Sequence, residues 1–232
     1  MGEKQLWNSI YTDRGMTLWS PPEATVQFVG RFLRKRLDTG RFQDLFPARR
    51  ILDLGCGNGA AALFLAKMGY ETYGIDISES AVTIGRKWLA DEGITADLRA
   101  GDVSEPLPYP DGHFDAVTCY AVLDHVPMEG ALRAVSEVHR VLASPGLFFL
   151  TLAGAGSKKF GEGRKVGRNT FKLEDDYEAG AIQHYFDRQD IETLLAGRFR
   201  IKDIREVVQK KFDLSFRKEH WSNRWHLTVE KT

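Results

Sequence analysis

The sequence predicts one α/β domain, a doubly wound and mostly parallel sheet with helices on both faces, and three observations carry that expectation. Between Arg50 and Leu152, short apolar runs alternate with amphipathic stretches at helical spacing. Gly55, Gly57 and Gly59 cluster where the first apolar run passes into the next helical pattern. A length of 232 residues with 43% hydrophobic and 28% charged side chains is that of one globular domain, and it excludes disordered, collagen-like and disulfide-scaffold classes. A chain of this size hides roughly 70% or more of its unfolded surface, enough to cover a sheet on both faces.

The elements follow in order. After an aromatic lead-in, Pro21 and Pro22 open a stretch in which Val26, Val29, Leu33 and Leu37 recur at helical spacing until Gly40, with Arg31, Arg34, Lys35 and Arg36 on a solvated face. Ile51 to Leu54 reads as a strand and Ala60 to Met68 as a helix. Tyr70 to Asp76, Glu79 to Asp91, Ala96 to Ala100 and Phe114 to Tyr120 continue as strand, helix, strand, strand. Gly130 to Leu142 is a helix stopped by Ser144-Pro145-Gly146 before the strand Leu147 to Leu152. The glycine-rich, basic stretch from Ala153 to about Gly180 is expected to be an irregular lid. Asp187 to Ala196 then reads as a helix, and Phe199 to Val208 with Trp225 to Val229 as an antiparallel hairpin closing the sheet. The organisation expected is therefore a single domain: an N-terminal lid and helix (1–40), a ligand-binding core (49–152), a lid insertion on the substrate side (153–185) and a C-terminal helix and hairpin (186–232).

Charge and cysteine usage exclude several partners. Lysine plus arginine total 32 and aspartate plus glutamate total 32, so no net field draws the chain to nucleic acid or anionic lipid. Cys56 and Cys119 are the two cysteines, too few for a four-thiolate zinc site or a disulfide framework, so no metal is expected. The first residues lack an apolar signal core, and no run of about 18 apolar residues occurs. A cytoplasmic chain with no membrane contact is expected.

Asp53-Leu54-Gly55-Cys56-Gly57-Asn58-Gly59, set between strand and helix, lets the backbone turn sharply and a ligand approach the main chain. The spacing Gly55, Gly57, Ala60 also fits a dinucleotide loop, so other residues decide. Asp53 would repel a pyrophosphate and suits a cationic group. Asp76, 19 residues beyond Gly57, stands where an acid accepts ribose hydroxyls, and Asp102 with Val103 suits an adenine amine and face. The lesser alternatives are that Asp76 and Asp102 serve as turn or cap residues and the glycines as a plain tight turn.

With these residues the chain resembles the class I S-adenosylmethionine-dependent methyltransferases. The resemblance rests on Ile51 to Gly59, Gly74-Ile75-Asp76-Ile77-Ser78, Gly101-Asp102-Val103, Pro108 to Val117 with its Asp-Gly-His-Phe-Asp core, and Leu142 to Gly146, about two thirds of the chain. It implies a Rossmann-like seven-stranded sheet with the last strand antiparallel. It implies S-adenosylmethionine as cofactor and S-adenosylhomocysteine as product. The glycine loop, with Asp53, Gly55, Gly57, Asn58 and Gly59, would take the methionine end, Asp76 and Ile77 the ribose side, Asp102 and Val103 the adenine, and the backbone of Tyr120 the methionine part.

Methyl transfer from a sulfonium is governed by alignment, and a base is needed only where the acceptor loses a proton. Candidates for one are Asp124 and His125 after the fourth strand and His184 and Tyr185 before the penultimate helix, each also readable as a cap, a backbone anchor or a packing residue. Trp7, Tyr11 and Trp19 could cover an adenosyl group or simply pack. Lys158, Lys159, Arg164, Lys165, Arg168 and Lys172 suit an anionic acceptor or a solvated loop. Tyr120-Ala121-Val122-Leu123 lacks the Asn/Asp-Pro-Pro-Tyr/Phe run that marks exocyclic amine methylation. A small-molecule acceptor is therefore expected. RNA or protein methylation remains the alternative enzyme reading, since the basic Arg198 to Lys218 stretch carries Phe199, Phe212 and Phe216. A non-catalytic cofactor-binding module and a nicotinamide-dependent oxidoreductase are the readings of other classes. The acceptor atom and the oligomeric state are left open.

Overall fold

The computed structural model describes residues 2–13, 20–175, 177–213 and 218–232, without the side chains of 211–220. Trp19, Asp176, Phe216 and the side chains of Phe212 and Lys218 thus lie outside the described residues. The elements are α1 (Glu3–Thr12), α2 (Glu23–Phe28), β1 (Arg34–Asp38), β2 (Arg41–Asp44), β3 (Arg50–Leu54), α3 (Ala60–Lys67), β4 (Glu71–Asp76), α4 (Glu79–Asp91), β5 (Asp97–Ala100) and β6 (Phe114–Tyr120). They continue with α5 (Met128–Val141), β7 (Leu142–Ala153), β8 (Arg164–Gly167), β9 (Thr170–Lys172), β10 (Ile182–His184), α6 (Arg188–Leu195), β11 (Phe199–Asp213) and β12 (Lys218–Lys231).

Seven strands form the main sheet in the order β11-β12-β7-β6-β3-β4-β5. The pairs among β7, β6, β3, β4 and β5 are parallel, and β12 runs antiparallel to both β7 and β11. The last strand is thus the antiparallel one, as expected. Strand order reverses beside β3, so the crevice at the carboxyl ends of β3 and β6 is the topological switch point where ligands enter open α/β sheets.

Alternate residues of the buried strands feed two cores, the pattern of a sheet covered on both faces. Leu52, Val117, Phe148 and Leu150 pack with Ala134, Val135 and Val138 of α5 and Ile191 and Leu194 of α6. Ile51, Ala116, Leu147 and Phe149 pack on the opposite face with Phe28, Val29, Leu33 and Leu65. Phe28 and Phe149 stack with ring centroids 5.0 Å apart. Asp187 caps α6 reciprocally with Asp190 in a capping box, which fixes where the chain turns back beneath the sheet.

Five expectations need correction. The helix through Gly40 ends earlier: α2 widens into a π turn over Val29–Leu33 and the chain then forms the hairpin β1–β2. Leu33 is the last residue of that stripe with a core to enter, whereas Leu37 is 50% exposed. Arg31 and Arg34 are ion-paired with Asp203 and Asp44 rather than simply solvated. The stretch from Ala153 to Gly180 is not wholly irregular, because it contains β8 and β9, which with β10 just beyond it make a three-stranded antiparallel sheet. The terminal hairpin is longer than its apolar core suggested, reaching Asp213 and starting again at Lys218. Phe199 is partly buried against Phe148 and His139 at the edge of the core, so its ring already has partners.

Candidate functional site

The glycine loop leaves β3 at the switch point and is fastened to the next strand. The amides of Gly55 and Cys56 both donate to the Ile75 carbonyl, at 2.8 and 3.0 Å. Gly57 has φ +52°, and a Cβ there would collide with the Tyr11 hydroxyl of α1. Glycine is required for both reasons. The Gly57 amide donates to Asp76 Oδ2 at 2.8 Å and the Ser78 amide to Asp76 Oδ1 at 2.9 Å, so Asp76 holds both the loop and the turn into α4. A Gly57→Ala substitution is expected to lower stability by at least about 1–2 kcal/mol, the cost of a left-handed non-glycine residue, with part of the loss recovered by adding Tyr11→Phe. Urea denaturation of the single and double variants measures both effects.

Two buried carboxylates face this crevice. Asp53 is 3% exposed, and its Oδ1 accepts from the Thr118 hydroxyl at 2.8 Å. Burial pushes its carboxyl up to about 7, with the Thr118 bond opposing and the Asp76 charge adding to the rise. Burial likewise raises Asp76, against the two backbone bonds. Among the described residues no cationic side chain is ion-paired with either of them. Uncompensated buried charge of this kind is costly and calls for a ligand that brings positive charge and donors. Asp102, at the end of β5, receives the Ser104 amide and hydroxyl on the single oxygen Oδ1, at 2.8 and 2.7 Å, beside the buried Val103.

Helix α1 lies over this crevice. Asn8 Oδ1 accepts from the Ser78 hydroxyl at 2.9 Å and from the Ser80 amide at 3.2 Å, and Lys4 pairs with Glu79. Burial and the charges of Asp76, Cys56 and Asp53 raise the Tyr11 phenol, so it remains a neutral donor over the loop. Trp7 meets the His125 ring edge-on, centroids 5.1 Å apart.

The structure separates the four base candidates. Asp124 is fully buried and ion-paired at 3.0 Å with Arg224 of β12; Gln183 Nε2 also reaches its Oδ2, at 3.4 Å. Burial alone would raise Asp124, but Arg224 and then His125 hold it below the ordinary carboxylate range, the wrong direction for a base. His184 is 2% exposed; its Nδ1 lies 2.7 Å from Thr170 Oγ1 and its Nε2 3.5 Å from Asp190 Oδ2, so it is wedged between β9 and α6, and burial lowers its pKa. Tyr185 packs on Phe160 and Phe171, and burial raises its phenol to about 12. His125 alone has base geometry: its Nδ1–H donates to the Ile182 carbonyl at 3.0 Å, which puts the acceptor lone pair on Nε2, 3.8 Å from Glu178 Oε1. Tyr120 ends β6 under the Arg224 guanidinium, 5.8 Å from its ring centroid.

Arg224, Gln183, Asn8 and Glu178 were not singled out from the sequence. Arg224 gave no sign in the sequence, since it precedes the strand read at Trp225 to Val229 and its partner Asp124 lies 100 residues away. Both cysteines are buried and free. No group of three or more His, Cys, Asp or Glu side chains among the described residues has metal-binding geometry.

The sheet order, the glycine loop and the acid at the end of β4 define the fold of the class I S-adenosylmethionine-dependent methyltransferases. Residues 51–146 match the family model described as "Methyltransferase domain". The chain is 37% identical over 106 residues to the ubiquinone biosynthesis O-methyltransferase of Bordetella pertussis, covering 45% of this chain and 43% of that protein. It thus spans less than half the length of the curated relatives it matches. A S-adenosylmethionine-dependent methyltransferase of Methanosarcina mazei superposes with a TM-score of 0.65 at 25% identity, over 78% of this chain and 92% of that one. The 1,6-didemethyltoxoflavin-N1-methyltransferase of Burkholderia thailandensis, solved with its acceptor and S-adenosylhomocysteine, superposes at 0.67 with 19% identity, over 98% of this chain and 86% of that one.

Proposed function

We propose that this chain binds S-adenosylmethionine and transfers its methyl group in line to a small-molecule acceptor, releasing S-adenosylhomocysteine. The observation that carries the reading is the pair of buried carboxylates, Asp53 and Asp76, with no cation paired to either among the described residues. A zwitterionic methionine tail supplies an ammonium for Asp53, and its carboxylate suits the glycine-loop amides ahead of α3, with Gly55, Asn58 and Gly59 forming the cradle. The second lone pairs of the Asp76 oxygens suit ribose hydroxyls, with Ile77 beside them, and Asp102 with Val103 suits adenine. The backbone at Tyr120 borders the methionine part. When bound, the cofactor supplies an electrophilic sulfonium methyl.

The chain's own residues align the acceptor and exclude water. Helix α1 is the cover on the cofactor side, through Asn8, Tyr11 and Trp7, and the segment 153–185 is the cover on the acceptor side. For a hydroxyl acceptor, the proton passes from the oxygen to His125 Nε2, and the adjacent Glu178 carboxylate stabilises the imidazolium. Asp124 holds Arg224, and His184 holds the lid against α6, so neither takes part in proton transfer. The names of the curated relatives and of the Burkholderia enzyme support a small acceptor. The basic residues of the lid favour an anionic one. A cytoplasmic setting accords with the free buried cysteines and with the lack of a helix long and apolar enough to cross a membrane among the described residues.

Calorimetry with S-adenosylmethionine and NAD, paired with incubation of a metabolite extract with isotopically labelled methyl donor and mass spectrometry, tests the reading. Binding of the sulfonium, at least tenfold weaker in Asp76→Ala, and a labelled product are expected. Binding of NAD alone would overturn the proposal, and sulfonium binding with no labelled product would make the chain a non-catalytic binding module.

A further inference from the structure

Between β6 and α5 the chain passes through residues 120–125, and one backbone angle there stands out. Ala121 has φ +55°, in the left-handed region that an alanine rarely adopts. Asn169 is the other non-glycine residue of this kind among the described residues, and asparagine is a side chain enriched in that region. Alanine has no polar group with which to bond its own backbone, so its surroundings must hold it there. Those surroundings converge on Arg224 of β12. Resting on the methyl-transfer reading above, we infer that Arg224 is a positioning residue: it clamps this strained turn and so sets the imidazole of His125 beside the glycine loop.

Three contacts make the clamp. Arg224 Nη1 donates to Thr151 Oγ1 at 3.4 Å, and the same oxygen accepts the Ala121 amide at 3.0 Å, so one hydroxyl ties the strained residue to the guanidinium. Arg224 Nη2 donates to Asp124 Oδ2 at 3.0 Å, three residues further on. The guanidinium carbon also stands over the Tyr120 ring. One planar fork thus reaches both ends of the turn, which the point charge of an ammonium cannot do. Thr151 and Asp124 are both 0% exposed, so bulk water does not replace either bond. Between those ends the His125 amide donates to the Val122 carbonyl at 2.9 Å and closes the 3₁₀ turn Leu123–His125.

The glycine loop wedges the turn from the other side. A Cβ on Gly55 would lie 2.1 Å from Val122 Cγ2, so the Val122 side chain fills the space that this glycine leaves open. Relaxation of Ala121 to a negative φ would rotate Val122 off the loop and swing His125 away from the Ile182 carbonyl that orients its ring. Gln183 supports the clamp from the lid, its Nε2 reaching the Asp124 carbonyl and Oδ2 at 3.4 Å each. Arg224 therefore acts through the base and leaves proton transfer itself to His125.

The test compares Arg224→Lys and Thr151→Val with the parent. Lysine keeps a cation for Asp124, so no buried charge is orphaned, but it cannot hold Thr151 as well. S-adenosylmethionine is the donor, and the acceptors are phenol, protonated at about pH 8, and 4-nitrophenol, largely ionised there. Each variant is expected to lose at least tenfold in kcat with phenol at a KM within about twofold of the parent's, and less than about twofold in kcat with 4-nitrophenol, which has no proton to give up. Adding Ala121→Gly removes the strain at that angle and should restore most of the phenol rate. A phenol rate at the parent's level, a loss shared equally by both phenols, or a deficit that the glycine does not relieve overturns the clamp. Hydrogen exchange of the ligand-free chain needs no turnover: in Arg224→Lys the Ala121 and His125 amides should exchange at least tenfold faster than in the parent, with those of Ile51 to Leu54 unchanged. Unchanged exchange at Ala121 and His125 overturns the clamp whether or not either phenol is methylated. Failure of the parent to bind S-adenosylhomocysteine in calorimetry sinks the methyltransferase reading, and the exchange result then judges the clamp by itself.

Discussion

Replacing Asp53 with asparagine is expected to stabilise the ligand-free protein while removing its affinity for S-adenosylmethionine. Burial raises the Asp53 carboxyl to about 7, whereas in the unfolded chain it titrates near the ordinary aspartate value of about 3.9. Between those two values the folded protein keeps a proton that the unfolded chain has released. Stability therefore falls as pH rises from about 4 to about 7, by up to about 4 kcal/mol, and stays lowered above that window. Asparagine is isosteric, keeps an oxygen for the Thr118 hydroxyl and carries no charge. At pH 8 the variant should melt several degrees higher than the parent, at about 2–4 °C per kcal/mol for a chain of this size. The advantage should shrink as the pH falls from about 7 toward about 4 and vanish below that, where the parent is protonated in both states. The ligand response runs the other way. A cationic tail offsets the buried charge in the parent, so S-adenosylmethionine should raise the parent's melting temperature most above pH 7 and leave Asp53→Asn nearly unmoved. A variant melting no higher than the parent at pH 8 would contradict the desolvated charge at the centre of this site.

His125→Gln is expected to lower kcat by about 10²–10⁴-fold for a hydroxyl acceptor, the usual range for loss of a general base, with cofactor affinity unchanged. Glutamine retains an amide N–H for the Ile182 carbonyl, so the fastening of β10 persists while the basic lone pair at Nε2 is gone. An acceptor already ionised at the assay pH has no proton to lose, and with a nitrophenol of low pKa the deficit should largely disappear. That difference separates proton removal from packing, since a packing defect at Trp7 and His125 would slow both acceptors alike. Equal losses for the two acceptors would reduce His125 to a positioning residue.

The parallel half of the sheet was legible because its strands are short, apolar and separated by glycine or by helical periodicity, as in Ile51 to Leu54 and Leu147 to Leu152. The glycine loop was legible because left-handed backbone and close approach leave few residue choices, and Gly57 meets both conditions. The hairpin after Leu33 was not, because Leu37 continues a helical spacing that no core rewards, while Asp38, Thr39 and Gly40 form a turn with the Asp38 carboxylate accepting the Thr39 amide. The lid sheet was hidden for a different reason. Strands as short as Thr170–Lys172 and Ile182–His184, set among glycines, carry no period that could be told from loop.

From its residues alone, this chain was committed to a parallel α/β sheet and to carboxylates at the ends of its first strands, because periodicity and turn chemistry act over a few neighbours. Tertiary structure alone decided which polar groups do what. It set Asp124 against Arg224 across 100 residues and His125 against the Ile182 carbonyl across 57. The first contact turned one candidate base into the counter-ion of an arginine, and the second left the other with a lone pair free to accept a proton. Burial and pairing fix the protonation behaviour of such groups, and both are properties of distant residues brought together by the sheet.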